Sequence, residues 1–170
     1  MKSVPQPIWV VNRYLWSELQ KADSTLTNQY SSYPNGPIFP INDANANNAQ
    51  WGDKPYLIYT QAFRVWHGHY VTKKATYIYS LKAKPDEIFN WGTTIERILN
   101  RQDDAAKDIN EFNSKQPLNK QVPVYFHNVR VYQNEPPKPS DSSISPMVTA
   151  QFQVVVEYHD LFETDTPWRA

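Results

Sequence analysis

The stretch Thr72–Leu99, "TKKATYIYSLKAKPDEIFNWGTTIERIL", changes period in its middle. In its first half Tyr77, Tyr79 and Leu81 fall on one side and Thr76, Ser80 and Lys82 on the other, the alternation of a strand with one half-wet face. In its second half Ile88, Trp91, Ile95, Ile98 and Leu99 recur at helical spacing. Pro85 is expected to open this helix, with Asp86 and Glu87 in the first turn, where the macrodipole favours carboxylates. The stripe continues through Ala105, Ala106, Ile109 and Phe112, with a break near Gln102. A strand that hands over to a long amphipathic helix places the chain among folds in which helices cover one face of a sheet.

Working outward, Pro55–Trp66 is rich in β-branched and aromatic residues and forms a hairpin with Thr72–Ala83, turning at Gly68 within "RVWHGHY" (Arg64–Tyr70). Further upstream, Pro7–Asp23 places Ile8, Val11, Leu15 and Leu19 on one helical face. Between them, residues 24–54 are crowded with Asn, Ser, Pro and Gly and read as a long loop with a turn at Tyr33-Pro34-Asn35-Gly36. Downstream, Val122–Gln133 reads as a strand, and 134–146 as a proline- and serine-rich loop. A last strand follows, in which Val148, Ala150, Phe152, Val154, Val156 and Tyr158 alternate with polar residues, and residues 160–170 form a tail. The expected fold is therefore α+β: a mainly antiparallel sheet of about four strands packed against two helices, in a single domain spanning residues 1–170 with long loops.

Composition narrows the function. The 170 residues carry 17 Lys+Arg against 17 Asp+Glu, without a basic block of the kind that neutralises phosphates. The absence of cysteine removes thiol catalysis, thiolate zinc sites and disulfides. The first residues, "MKSVPQPIWVVNRYLW", read as neither signal peptide nor membrane span, which leads to the expectation of a soluble protein. Aromatics at 14%, rich in Tyr and Trp, lean toward contact with other proteins.

His67 and His69, two apart, could share a metal with His127 or His159, the other two histidines, each on a separate strand. Gly68 between them favours a solvated hairpin tip instead. The paired acids have ordinary roles: Asp86-Glu87 at a helix start, Asp103-Asp104 on a helix surface, and Asp160, Glu163 and Asp165 running into the tail. No nucleophile elbow or phosphate loop is present. Arg64, Trp66, Lys73, Lys74 and Tyr77 offer only thin support for single-strand nucleic-acid binding.

The order of elements, with a strand such as "TYIYSLKAKP" leading into a helix such as "DEIFNWGTTIERIL" and a final strand "TAQFQVVVEYHDLF", resembles the tail terminator and tail-completion proteins of tailed bacteriophages. In particular it is similar to the sheath-stabilising terminator of contractile tails. The resemblance, over residues 55–160, implies a structural virion protein without catalytic activity or cofactor. Such a protein assembles in the host cytoplasm as a hexameric ring on the tail tube, touching sheath and neck or connector. It meets no membrane, and the only nucleic acid it would meet is DNA threading the ring. Subunit and partner contacts are then expected at Arg64, Trp66, His67, His69, Tyr70, Trp168 and Arg169, with the two long loops as arms reaching neighbours. The rival expectations are a small metal-dependent hydrolase built on His67 and His69, or an adaptor of another contractile machine.

Overall fold

The computed structural model describes residues 6–43, 46, 53–66, 72–100, 105–139 and 147–161. The elements run α1 (Pro7–Ala22), α2 (Thr25–Gln29), β1 (Ile38–Pro40), β2 (Tyr56–Trp66), β3 (Thr72–Ala83), α3 (Ile88–Leu99), α4 (Ala105–Ser114), β4 (Val124–Pro139) and β5 (Val148–Asp160). They make an α+β fold with a five-stranded sheet in the order β1-β2-β3-β5-β4. All neighbours are antiparallel except β1, which runs parallel to β2. The sheet is therefore mixed, with one strand and two helices more than the sequence pattern indicates. Among the described residues no helix is long and apolar enough to cross a membrane.

The inner face of the sheet is fixed by alternation. Leu57, Tyr77, Tyr79, Leu81, Phe152, Val154, Val156 and Tyr158 are all buried in one core with Ile88, Ile95 and Leu99 of α3 and Val11 and Leu15 of α1. Tyr59, Tyr79 and Phe152 stand opposite one another on three adjacent strands. Their rings stack at 5.4 Å, with Tyr79 and Phe152 only 9° from parallel. A one-residue slip of any of these strands would turn its ring to the other face, so the stack pins the register. From α1, Asn12, only 2% exposed, accepts a hydrogen bond from the Tyr79 hydroxyl. That bond ties the helix to the sheet where its apolar stripe is interrupted, and it satisfies two buried polar groups at once.

Three expectations are corrected. The segment 24–54 is not one loop, because it contains α2 and β1. Asp23 opens α2 by accepting hydrogen bonds from the Thr25 backbone N–H and hydroxyl, a local turn of the kind short Asp side chains favour. The turn at Tyr33–Gly36 is present, with the Gly36 N–H donating to the Tyr33 carbonyl at 3.1 Å. Gly36 sits at φ +57°, and a Cβ there would overlap the Trp16 ring. Second, α3 begins at Ile88, with Asp86 and Glu87 in the preceding turn, where both Glu87 and Ile88 N–H donate to the Lys84 carbonyl. The Lys84 ammonium bridges to Asp53 at 2.8 Å. Third, β4 runs past Gln133 to Pro139. Its prolines are tolerated because β4 is an edge strand, where an outward N–H is not needed for the ladder. The break near Gln102 lies outside the described residues, between α3 and α4.

The outer edge of β4 is closed by asparagine side chains. Asn100 donates to the Val131 carbonyl at 3.0 Å and accepts from the Val131 N–H at 2.8 Å. Asn110 makes the same two-way bond with Phe126 at 2.9 and 2.8 Å. Just ahead of the strand, Asn113 does so with Val122 at 2.7 and 3.1 Å. Each amide thus presents the donor and acceptor that a neighbouring strand would have offered. The Val129 carbonyl accepts from Arg130 Nη1 at 3.1 Å, and beyond Gln133 two register shifts and three prolines complete the defence. Phe126 and Val131 are five positions apart, an odd spacing that would turn their peptide groups to opposite edges of a regular strand. The β-bulge between Phe126 and Asn128 adds the missing residue. It lets both peptides face the helices and lets both Phe126 and Val129 point into the core.

Two predictions follow from these contacts. Asn110→Ala leaves a peptide donor and acceptor of Phe126 unsatisfied, so it should lower unfolding stability by about 1–3 kcal/mol in urea titration. A loss indistinguishable from that of an exposed asparagine would refute the clamp. Burial pushes Tyr56 up to about 12 and holds Tyr30 and Tyr79 well above the ordinary value of 10.0. A raised phenol contributes stability that is intact below pH about 10 and lost as pH climbs toward the folded value. Absorbance at 295 nm should therefore show these tyrosines ionising only as circular dichroism reports unfolding above pH about 10; their ionisation in the folded protein would contradict their burial.

Candidate contact site at one end of the sheet

Strand registers bring distant segments to one end of the sheet. Trp66 pairs with Lys73 across the β2–β3 hairpin, and Thr72 pairs with His159 of β5. His159 in turn pairs with Tyr125 at the start of β4, and the Leu161 N–H extends this ladder to the Pro123 carbonyl at 2.9 Å. Hairpin end, β5 end and β4 start therefore share one edge of the molecule.

At this end an apolar groove of about 550 Å³ opens between the C-terminal part of α4 and the first residues of β4, lined by Leu118, Val122, Pro123, Tyr125 and Leu161. Leu118 is 87% exposed, Tyr125 51% and Leu161 41%. The turn carrying Leu118 is rigid despite its exposure. The Lys120 N–H donates to the Pro117 carbonyl at 2.8 Å, and Arg13 Nη1 of α1 holds the Lys120 carbonyl at 2.6 Å. Asn113 fixes Val122 on the other wall. Three large apolar side chains are thus held toward solvent by framework contacts, an arrangement more expected of an interaction surface than of scattered surface leucines.

Beside the groove, His127 of the bulge and His159 of β5 lie in hydrogen-bond contact, Nε2 against Nδ1, with ring centroids 4.3 Å apart. The Tyr125 ring packs edge-on against His127 at 5.2 Å. The bulge makes this meeting possible, because His127 is the inserted residue and both of its neighbours keep their partners on β5. Among the described residues the two histidines brought together, His127 and His159, lie on different strands and stand 32 positions apart in the chain. Among the described residues no three of His, Asp and Glu gather as a ligand set.

Of the expected contact residues, Arg64 and Trp66 lie on β2, their backbones in register with Ala75 and Lys73. His67, His69, Tyr70, Trp168 and Arg169 lie outside the described residues, as do Asp103, Asp104, Glu163 and Asp165. The basic-aromatic nucleic-acid reading loses two members. Lys73 is 1% exposed and Tyr77 is buried on the inner face, while Lys74 points the other way, so they cannot form one platform. A second cleft, between α3 and the sheet and rimmed by Phe89, Gly92, Pro137 and Gln151, measures about 90 Å³ and has room for little more than a few waters. The groove residues went unrecognised in the sequence, and His127 and His159 were named there only as companions of His67 and His69. The available signal was Tyr125 and His127, large outward side chains at the start of an alternating strand; Leu118, alone in a polar turn, gave none.

No family model matches the chain, and no curated protein matches it. Several solved chains are similar; one of them has a TM-score of 0.31 and 10% identity, covering 91% of this chain and 96% of its own, a likeness too slight to bear on function.

Because Leu118 contributes little to the core, Leu118→Ser should leave unfolding stability within about 0.5 kcal/mol of the parent while lowering binding of a hydrophobic dye to the native protein. A larger loss of stability would mean that Leu118 belongs to the fold and not to a contact surface.

Proposed function

We propose that this protein is a non-enzymatic structural subunit, a tail terminator of a tailed bacteriophage that closes into a hexameric ring at the end of the tail tube and joins it to the neck. The observation that carries the reading is the rigidly held apolar groove with Leu118, Tyr125 and Leu161 facing solvent, at the end of the sheet where the β2–β3 hairpin also ends. A ring subunit needs such a surface for a heterologous contact that closes by rotation. The sheet edge at β4 is a poor candidate for that contact, since strand addition there would have to displace Asn100 and Asn110. In this reading the subunit interface uses the groove and the hairpin end, and tube, sheath and neck proteins are the partners.

Size-exclusion chromatography with light scattering, with and without purified tail tubes, tests it. Rings of six chains, or tube-bound protein visible as an end cap by electron microscopy, are the expected result, and Leu118→Glu should weaken association by about tenfold or more, as truncating a contact worth over 1 kcal/mol does. A chain that stays monomeric and leaves tubes uncapped would defeat the proposal.

A further inference from the structure

We propose that His127 and His159 together chelate a single divalent ion of the late first transition row, zinc or nickel, on the outward face of the β4–β5 pair. The imidazoles come from adjacent antiparallel strands whose ladder continues on both sides of them, Phe126 with Tyr158 and Asn128 with Glu157. The backbone positions that carry them are therefore set before any ion arrives, which leaves only the side-chain torsions to be ordered on binding. One ring presents Nε2 and the other Nδ1 toward the same point, and either nitrogen of imidazole serves as a ligand. His127 is exposed and His159 half-buried, so an ion has access.

In the metal-free pair one ring donates its N–H and the other accepts. Binding shifts the shared proton, by way of water, to the outward nitrogen of the donor ring; each ring then carries its one proton on the outward nitrogen, and both inward nitrogens turn their lone pairs to the metal. Imidazole donors suit zinc, nickel and copper and disfavour magnesium and calcium, which take oxygen. No third His, Asp or Glu of the described residues joins them, so among those residues the pair supplies two ligands and further positions are open to water or to donors from elsewhere. The Tyr125 ring, shared with the apolar groove, walls one side.

Isothermal titration of zinc chloride into the full, tag-free, chelator-treated chain is the test. One ion per chain with micromolar affinity is expected. His127→Gln and His159→Gln should each weaken binding by about tenfold or more, while a His67→Ala/His69→Ala double variant should bind like the parent. No binding below millimolar zinc, parental affinity in both single variants, or a loss in the double variant equal to theirs would overturn the proposal. If a glutamine variant fails to fold, nickel-induced broadening in amide spectra of the parent decides. Broadening centred on residues 125–128 and 157–160 supports the pair, and broadening confined to residues 67–69 refutes it.

Discussion

The structure depends on how a sixteen-residue edge strand is kept from looking for another partner. A free edge of that length offers a row of unpaired N–H and C=O groups, the usual route to strand-mediated aggregation. Here helix side chains fill the row. Asn100 sits where α3 ends, and Asn110 and Asn113 are one turn apart on α4, so the helical pair is placed by polar contacts to the strand edge as well as by apolar contacts to the sheet face. Asparagine is a poor residue for a helix interior, and its presence there is accounted for by the peptide groups it satisfies.

The bulge at His127 serves this arrangement and the surface chemistry together. Without an inserted residue, the side chains of Phe126 and Val129 could not both enter the core, nor could the peptides of Phe126 and Val131 both meet asparagines. The same insertion sets one imidazole against another on the outward face. Core packing, edge protection and the histidine contact are therefore coupled through one backbone irregularity, and a change in strand length near it would disturb all three.

The sequence made the strands and helices largely legible because their periods are clean. Thr72–Ala83 coincides with β3, Pro55–Trp66 matches β2 but for its first residue, and the alternation after Met147 matches β5. It failed where structure depends on partners remote in the chain. Ile38–Pro40 is too short to show a period and becomes β1 only because Leu57–Tyr59 is available to pair with it. Pro136, Pro137 and Pro139 argued for a loop, yet an edge strand accepts them. For the candidate site, His67 and His69 drew attention by being close in sequence and lie outside the described residues, whereas His127 and His159 meet through a ladder whose register, shifted by a bulge, no spacing rule reveals. Lys73 and Tyr77 looked like a surface platform until the inward face of β3 was assigned.

The covered edge also limits what kind of object the subunit can build. On the opposite side, β1 pairs only with Leu57–Tyr59, and among the described residues no strand lies outside the rest of β2. The sheet is thus one-sided: two copies could join through β2, but the joined sheet would then present a covered β4 at each end and could grow no further. Strand addition through the described edges therefore stops at a pair. In any larger assembly built on those edges, sheets are interrupted between pairs and the joints there are made by side chains.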